Sequence, residues 1–247
     1  MKKGVFILLT AMLLSACVSD SGGPGSVSPD RSEEAAYINV QLGVEYMQKE
    51  NYAMAEQKLI KALSFSPKSS LTNWTYGVLQ EKLGYHSKAE THFKKAIRLN
   101  KKDAEARNVY GAFLCRQNRV EEALESFDAA IANPLYNGTL EATLNAGDCL
   151  LQQQRYSEAK KYLNDALAIN SESAKANYLL AKVYYHEGRY AQSSIIRKRI
   201  SVNASDNPGV LWLCVVTERQ LGDRNNEAIC TKNLLKKYPS SPEADSI

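Results

Sequence analysis

The chain has 247 residues, a formal net charge of +4 and 31 basic against 27 acidic side chains. Setting aside Lys2 and Lys3, which belong to the leader segment described next, leaves 31 − 2 = 29 basic residues against 27 acidic ones. No basic patch interleaved with aromatics occurs, so the balance argues against a nucleic-acid partner. No GxSxG, HExxH, Walker-type or GxGxxG pattern occurs, the three histidines are scattered and no CxxC pair exists. Those absences argue against an enzyme, a zinc site, a cofactor or a small-molecule substrate.

In chain order, the first element is a targeting segment. Lys2 and Lys3 form its charged region, Val5–Leu14 its apolar run, and Leu14-Ser15-Ala16-Cys17 follows. The run is too short to span a bilayer, so residues 1–16 read as a signal peptide. The four residues before the cut resemble the bacterial lipobox, in which the cysteine thiol is lipidated and becomes the mature N-terminus. An ordinary secretory signal with an incidental cysteine is the alternative. Acyl chains such as palmitate on Cys17 would anchor the chain at roughly 0.8 kcal/mol per buried methylene, with more than one chain needed for stability. An aspartate directly after the lipidated cysteine resembles an inner-membrane retention signal, but here Val18 and Ser19 intervene before Asp20. That comparison implies lipid anchoring at the periplasmic face of the outer membrane. Residues 17–33 begin with a stretch rich in Ser, Gly and Pro and are expected to form a flexible tether.

From about residue 34 onward the apolar pattern becomes helical. Val109, Ala112 and Phe113 precede a polar break at Arg116–Arg119; Val120, Ala123, Leu124, Phe127 and Ala130 follow it, as expected for two antiparallel helices sharing a seam. Gly111, Ala123, Phe127 and Ala130 recur 34 residues earlier as Gly77, Ala89, Phe93 and Ala96, and again as Gly43, Ala55, Leu59 and Ala62, with Pro67 ending that unit. Forwards the step is 36, to Gly147, Ala159, Leu163 and Ala166; the two extra residues fall in Asn133–Thr139, where Pro134, Asn137 and Gly138 mark a turn. A fifth copy is degenerate (Ala181, Ser193, Ile200), and a sixth is placed on Ala228 and Leu235, ending at Pro239.

This small–large–small phasing resembles the 34-residue tetratricopeptide repeat. It predicts an all-α fold, a solenoid of six helix pairs stacked as a right-handed superhelix over residues 34–242, with units at about 36–69, 70–103, 104–139, 140–173, 174–208 and 209–242. The first helix of each pair is expected to line a concave wall.

Groove positions then follow from phase. The first two units place Tyr37, Val40, Val44, Met47, Leu71, Trp74 and Val78 on that wall, an apolar and aromatic set predicted to bind a partner. The alternative is that Tyr37, Val40 and Trp74 are ordinary core, covered by Arg31–Ala35 folding back or by helix curvature. The wall turns polar at Glu105, Asn108, Ala112, Glu141, Leu144 and Asp148, and the fifth unit adds Lys175, Tyr178, Lys182 and Tyr185. Cys115, Cys149, Cys214 and Cys230 remain once Cys17 is set aside, an even number suited to an oxidising compartment. Cys115 and Cys149 fall on neighbouring first helices, which leaves a bridge open to them; two small buried hydrophobes is the other reading.

The blocks Tyr110–Gln117 (YGAFLCRQ), Asn133–Tyr136 (NPLY) and Asn145–Cys149 (NAGDC) closely resemble the type IV pilus biogenesis and stability lipoproteins, the PilF/PilW-type pilotins. The lipobox and the repeat number match as well. That resemblance implies a non-enzymatic outer-membrane lipoprotein that binds the secretin subunit and supports its localisation and assembly. Another periplasm-facing scaffold, serving peptidoglycan enzymes or outer-membrane protein assembly, is the competing reading.

Overall fold

Several helix starts in this chain are set by side chains that accept hydrogen bonds from the free N–H groups of the first turn. Asn51, Ser69, Asp103, Ser173 and Asp223 each do so, towards Met54, Thr72, Ala106, Ala176 and Asn226. The computed structural model describes residues 29–201 and 206–247; the leader segment and Cys17 lie outside them. The described residues form six helix pairs: α1 (Pro29–Gln48) with α2 (Tyr52–Phe65), α3 (Ser70–Lys82) with α4 (His86–Leu99), α5 (Ala104–Arg116) with α6 (Val120–Ile131), α7 (Thr139–Gln152) with α8 (Tyr156–Ile169), α9 (Ala174–His186) with α10 (Tyr190–Arg197), and α11 (Pro208–Leu221) with α12 (Arg224–Lys237). A short α13 (Pro242–Asp245) follows. Among the described residues there is no strand.

The fold is an all-α solenoid. Each second helix packs on the first helix of the next pair, and each first helix also touches the next first helix, α1 on α3 through α9 on α11. The first helices therefore form a continuous inner row. Within a pair the small–large–small residues make the seam: Ala55, Leu59 and Ala62, then Ala89, Phe93 and Ala96, then Ala123, Phe127 and Ala130, then Ala159, Leu163 and Ala166 are all fully buried. A Cβ placed on Gly111 would come within 2.8 Å of the Phe127 ring and 3.1 Å of the Ala123 carbonyl oxygen. Only glycine lets those two backbones approach so closely.

The turn inside each pair is equally periodic. Glu50, Gly84, Asn118, Gln154, Gly188 and Gly222 all have positive φ. Their spacing is 34 residues except for the step from Asn118 to Gln154, which is 36. The extra two residues lie between α6 and α7, in the 132–138 loop.

Two expectations are corrected. The tether does not extend to residue 33, because α1 already begins at Pro29: proline suits a first helical turn, and the Ser32 hydroxyl donates to the Phe65 carbonyl at 2.6 Å, fastening that turn to the end of α2. The sixth unit is one residue out of register. Ala228 is exposed and Leu235 is 47% exposed, whereas Leu234 is fully buried. Gly222 follows Gly188 by 34 residues, not 35, so Glu227, Thr231 and Leu234 take the seam positions that Ser193, Arg197 and Ile200 hold in the fifth unit.

Candidate functional site at the inner wall

The inner face of α1 presents Tyr37, Val40 and Val44 at helical spacing, and α3 sets Leu71 and Trp74 opposite them. Between the two helices lies an apolar cleft of about 290 Å³. Tyr37 is 52% exposed and Trp74 half-buried, while Val40 forms the floor at 4% exposure. Arg31–Ala35 continue α1 rather than fold back, so they leave the cleft open. At its outer end Tyr37 and Leu71 also line a second cavity of about 390 Å³, with Glu33, Lys68 and Ser69 on its polar side. Apolar floor and charged rim together suit a side chain or short segment of another protein.

Not every residue expected on this wall is there. Met47 is only 7% exposed and belongs to the core cluster that includes Ala55, Leu59 and Leu79, because α2 turns back across the last turn of α1. Val78 is half-buried and packs against both this core and the larger one that runs on through the later pairs. Asn108 and Leu144, expected as groove positions further along, are buried at 4% and 2%. The Lys68–Ser69 rim was not foreseen, since the loop between α2 and α3 acquires its direction only from how the two pairs stack.

The middle of the wall is polar, as its phase predicts. The Asn145 amide donates to Asn108 Oδ1 at 3.1 Å, Lys175 donates to Glu141 at 2.7 Å, and the Tyr136 hydroxyl donates to Glu105 at 2.7 Å. Burial and that carboxylate hold the Tyr136 phenol far above its ordinary pKa. Cys115 and Cys149 are joined here, with Cα atoms 5.9 Å apart, and Cys214 and Cys230 are joined across α11 and α12. At the far end Lys182 lies over the Tyr178 ring at 5.6 Å, Tyr185 meets Trp212 edge-on at 6.0 Å, and the Tyr178 hydroxyl oxygen sits 2.6 Å from where a Cβ on Gly209 would stand. Among the described residues no group of three or more His, Cys, Asp or Glu side chains could hold a metal ion.

Sequence profiles of the tetratricopeptide repeat match residues 36–69, 72–103, 103–172 and 140–210. The chain belongs to the tetratricopeptide-repeat family. Within that family it is homologous to proteins of the type IV pilus. It is 27% identical over 242 residues to the type IV pilus assembly protein PilF of Pseudomonas aeruginosa, covering 98% of this chain and 96% of that protein. The solved structure of Pseudomonas aeruginosa PilF superposes with a TM-score of 0.74 at 26% identity, over 87% of this chain and 97% of that one. The crystal structure of PilW, described as a widely conserved type IV pilus biogenesis factor, gives 0.76 at 28% identity over 85% and 97%. This tetratricopeptide-repeat chain is thus similar along nearly its whole length to proteins of type IV pilus assembly and biogenesis.

Proposed function

We propose that the protein is a non-enzymatic, lipid-anchored scaffold at the periplasmic face of the outer membrane that binds the type IV pilus secretin and promotes its localisation and assembly. The observation that carries this reading is the open apolar cleft between α1 and α3, in a chain homologous to pilus biogenesis proteins. Tyr37 and Trp74 are large aromatic groups standing on rigid helices over a floor of Val40 and Leu71, so little ordering entropy opposes docking. A segment of the secretin laid along the wall would seat an apolar anchor in the cleft and its polar backbone against the Lys68–Ser69 rim. Lipid on Cys17 would hold these first pairs close to the membrane in which the secretin ring assembles.

Trp74 is the anchor to test. Truncating a central interface tryptophan commonly costs about 2 kcal/mol or more, roughly a thirtyfold loss of affinity. Trp74→Ala is expected to stop recovery of the secretin in a mild-detergent pull-down, with helical signal and melting unchanged, while Tyr178→Ala in α9 leaves recovery intact. Normal recovery by Trp74→Ala with loss by Tyr178→Ala would move the site to the other end of the wall. Capture of peptidoglycan synthases or outer-membrane insertion machinery in place of secretin would overturn the assignment of the partner.

A further inference from the structure

A second surface lies on the edge of the solenoid, away from the α1–α3 cleft. The loops at 100–103 and 132–138, each joining one helix pair to the next, border an open hollow of about 380 Å³. Ala129, Pro134 and Leu135 supply apolar lining, and Lys101, Lys102 and Arg107 supply charge. None of the residues lining it is acidic. Acidic side chains close in sequence to the lining are engaged elsewhere: Asp103 caps α5 by accepting from the Ala106 N–H, Glu105 accepts the Tyr136 hydroxyl and Asp128 accepts the Tyr162 hydroxyl.

Leu135 is 88% exposed, the most open large apolar side chain among the described residues. It does not hang from a slack loop. The Asn133 amide donates to the Lys102 carbonyl at 2.9 Å, its Oδ1 accepts from the Leu135 N–H at 3.0 Å, and the Thr139 hydroxyl donates to the Tyr136 carbonyl at 2.8 Å. Arg107 is likewise fixed by donating to the Lys101 carbonyl. This loop, two residues longer than its counterparts in the regular period, thus has its backbone held while Leu135 points outward beside three cations.

We propose that this edge is a docking site for an acidic segment of a protein partner that carries an apolar side chain. The cavity takes the apolar group between Ala129, Pro134 and Leu135, while Lys101, Lys102 and Arg107 face the flanking carboxylates. Charge complementarity specifies the acidic partner: Lys101, Lys102 and Arg107 make no salt bridge among the described residues, and unpaired cations favour association with the opposite sign. Concavity favours a peptide over a lipid surface, because a recess of this size, though open to solvent, accepts a side chain. The site is separate from the α1–α3 cleft and stands or falls independently of the secretin reading.

The test uses the purified full chain in mild detergent and a fluorescein-labelled peptide with one leucine flanked by glutamates, with a lysine-flanked counterpart as control. The acidic peptide is expected to bind more tightly than the basic one and to weaken as salt rises. Lys101→Glu combined with Lys102→Glu is expected to weaken it about tenfold and Leu135→Ala about threefold, at unchanged melting. Trp74→Ala should leave it unchanged. On the wild-type protein, amide exchange should slow at 101–107 and 129–136 when the peptide is added, which decides the matter even if a variant fails to fold. Equal binding of the two peptides, undiminished binding by the variants, or protection confined to other segments would overturn the proposal. So would capture of the wild type by phosphatidylglycerol vesicles, lost in Leu135→Ala, without binding of the acidic peptide.

Discussion

Three donors converge on the Glu90 carboxylate: Lys94 and Arg119 at 2.8 Å each and the Tyr110 hydroxyl at 3.1 Å. The bond from Lys94, reinforced by Arg119 and Tyr110, outweighs the opposing effect of burial and lowers its pKa from the ordinary 4.5 to about 2. Because the folded state binds this proton more weakly than the unfolded state, its contribution to stability is present above about pH 4.5 and disappears as the pH falls towards 2. Glu90→Gln is therefore expected to melt below the wild type at neutral pH, with the gap narrowing across that window. A gap that stays constant from pH 6 to pH 2, measured by thermal unfolding, would exclude this role for the carboxylate. Arg119 also reaches Glu122 at 2.6 Å, and Arg155 repeats the arrangement one unit on, between Glu121 and Glu158. Such pairs are partly exposed and individually contribute little.

At the scale of the helix pair, the turn residue is the most uniform feature. Six turns place one residue in the left-handed region, yet glycine fills only the positions at Gly84, Gly188 and Gly222. Glu50 and Gln154 hold φ of 57° and 58° with a Cβ present, a strain of order 1 kcal/mol or more for an L-residue. Gln154→Gly is expected to stabilise the protein by about 0.5–1 kcal/mol once the greater freedom of glycine in the unfolded chain is subtracted. Chemical denaturation should register this as a higher midpoint with an unchanged slope; a lower midpoint would mean that the Gln154 side chain contributes more than the turn costs. The bridge between α5 and α7 acts on the same scale. Cys115 and Cys149 are separated by 34 residues, for which loop closure gives roughly 3–4 kcal/mol of stabilisation. The double variant Cys115→Ser, Cys149→Ser should unfold at correspondingly lower denaturant, and an unchanged midpoint in non-reduced protein would show that the packing around these helices suffices without the bond.

Across the whole molecule, no helix among the described residues is long and apolar enough to cross a membrane. Anchoring on this reading rests on Cys17, outside the described residues. Cys17→Ser is expected to abolish outer-membrane fractionation and to lose the acyl mass on the mature N-terminus. Membrane association that persists without acylation would transfer the anchor to another segment.

Much of this architecture is legible in the sequence. Ala123, Phe127 and Ala130 had to face one seam because helix periodicity leaves no other arrangement, and the recurrence of that triplet counted four of the pairs directly. Pair packing is short-range, so a local pattern carries it. The sixth pair hides its phase by one residue because its seam holds Glu227 and Thr231, and only the burial of Leu234 reveals it. Inner-wall exposure belongs to a different order of information. Met47, Asn108 and Leu144 occupy the same kind of phase as Tyr37 and Trp74, yet the first three are buried and the last two face the cleft. Which of them opens to solvent depends on the neighbouring pair and on where the returning helix crosses, distances of tens of residues along the chain. The Leu135 edge is decided the same way: Lys101, Lys102 and Pro134 become one surface only when two loops are brought together by stacking. Sequence alone determined the helices, their pairing and the family, because those rest on contacts within one repeat; the tertiary structure decided which side chains remain available to a partner, because that rests on contacts between repeats.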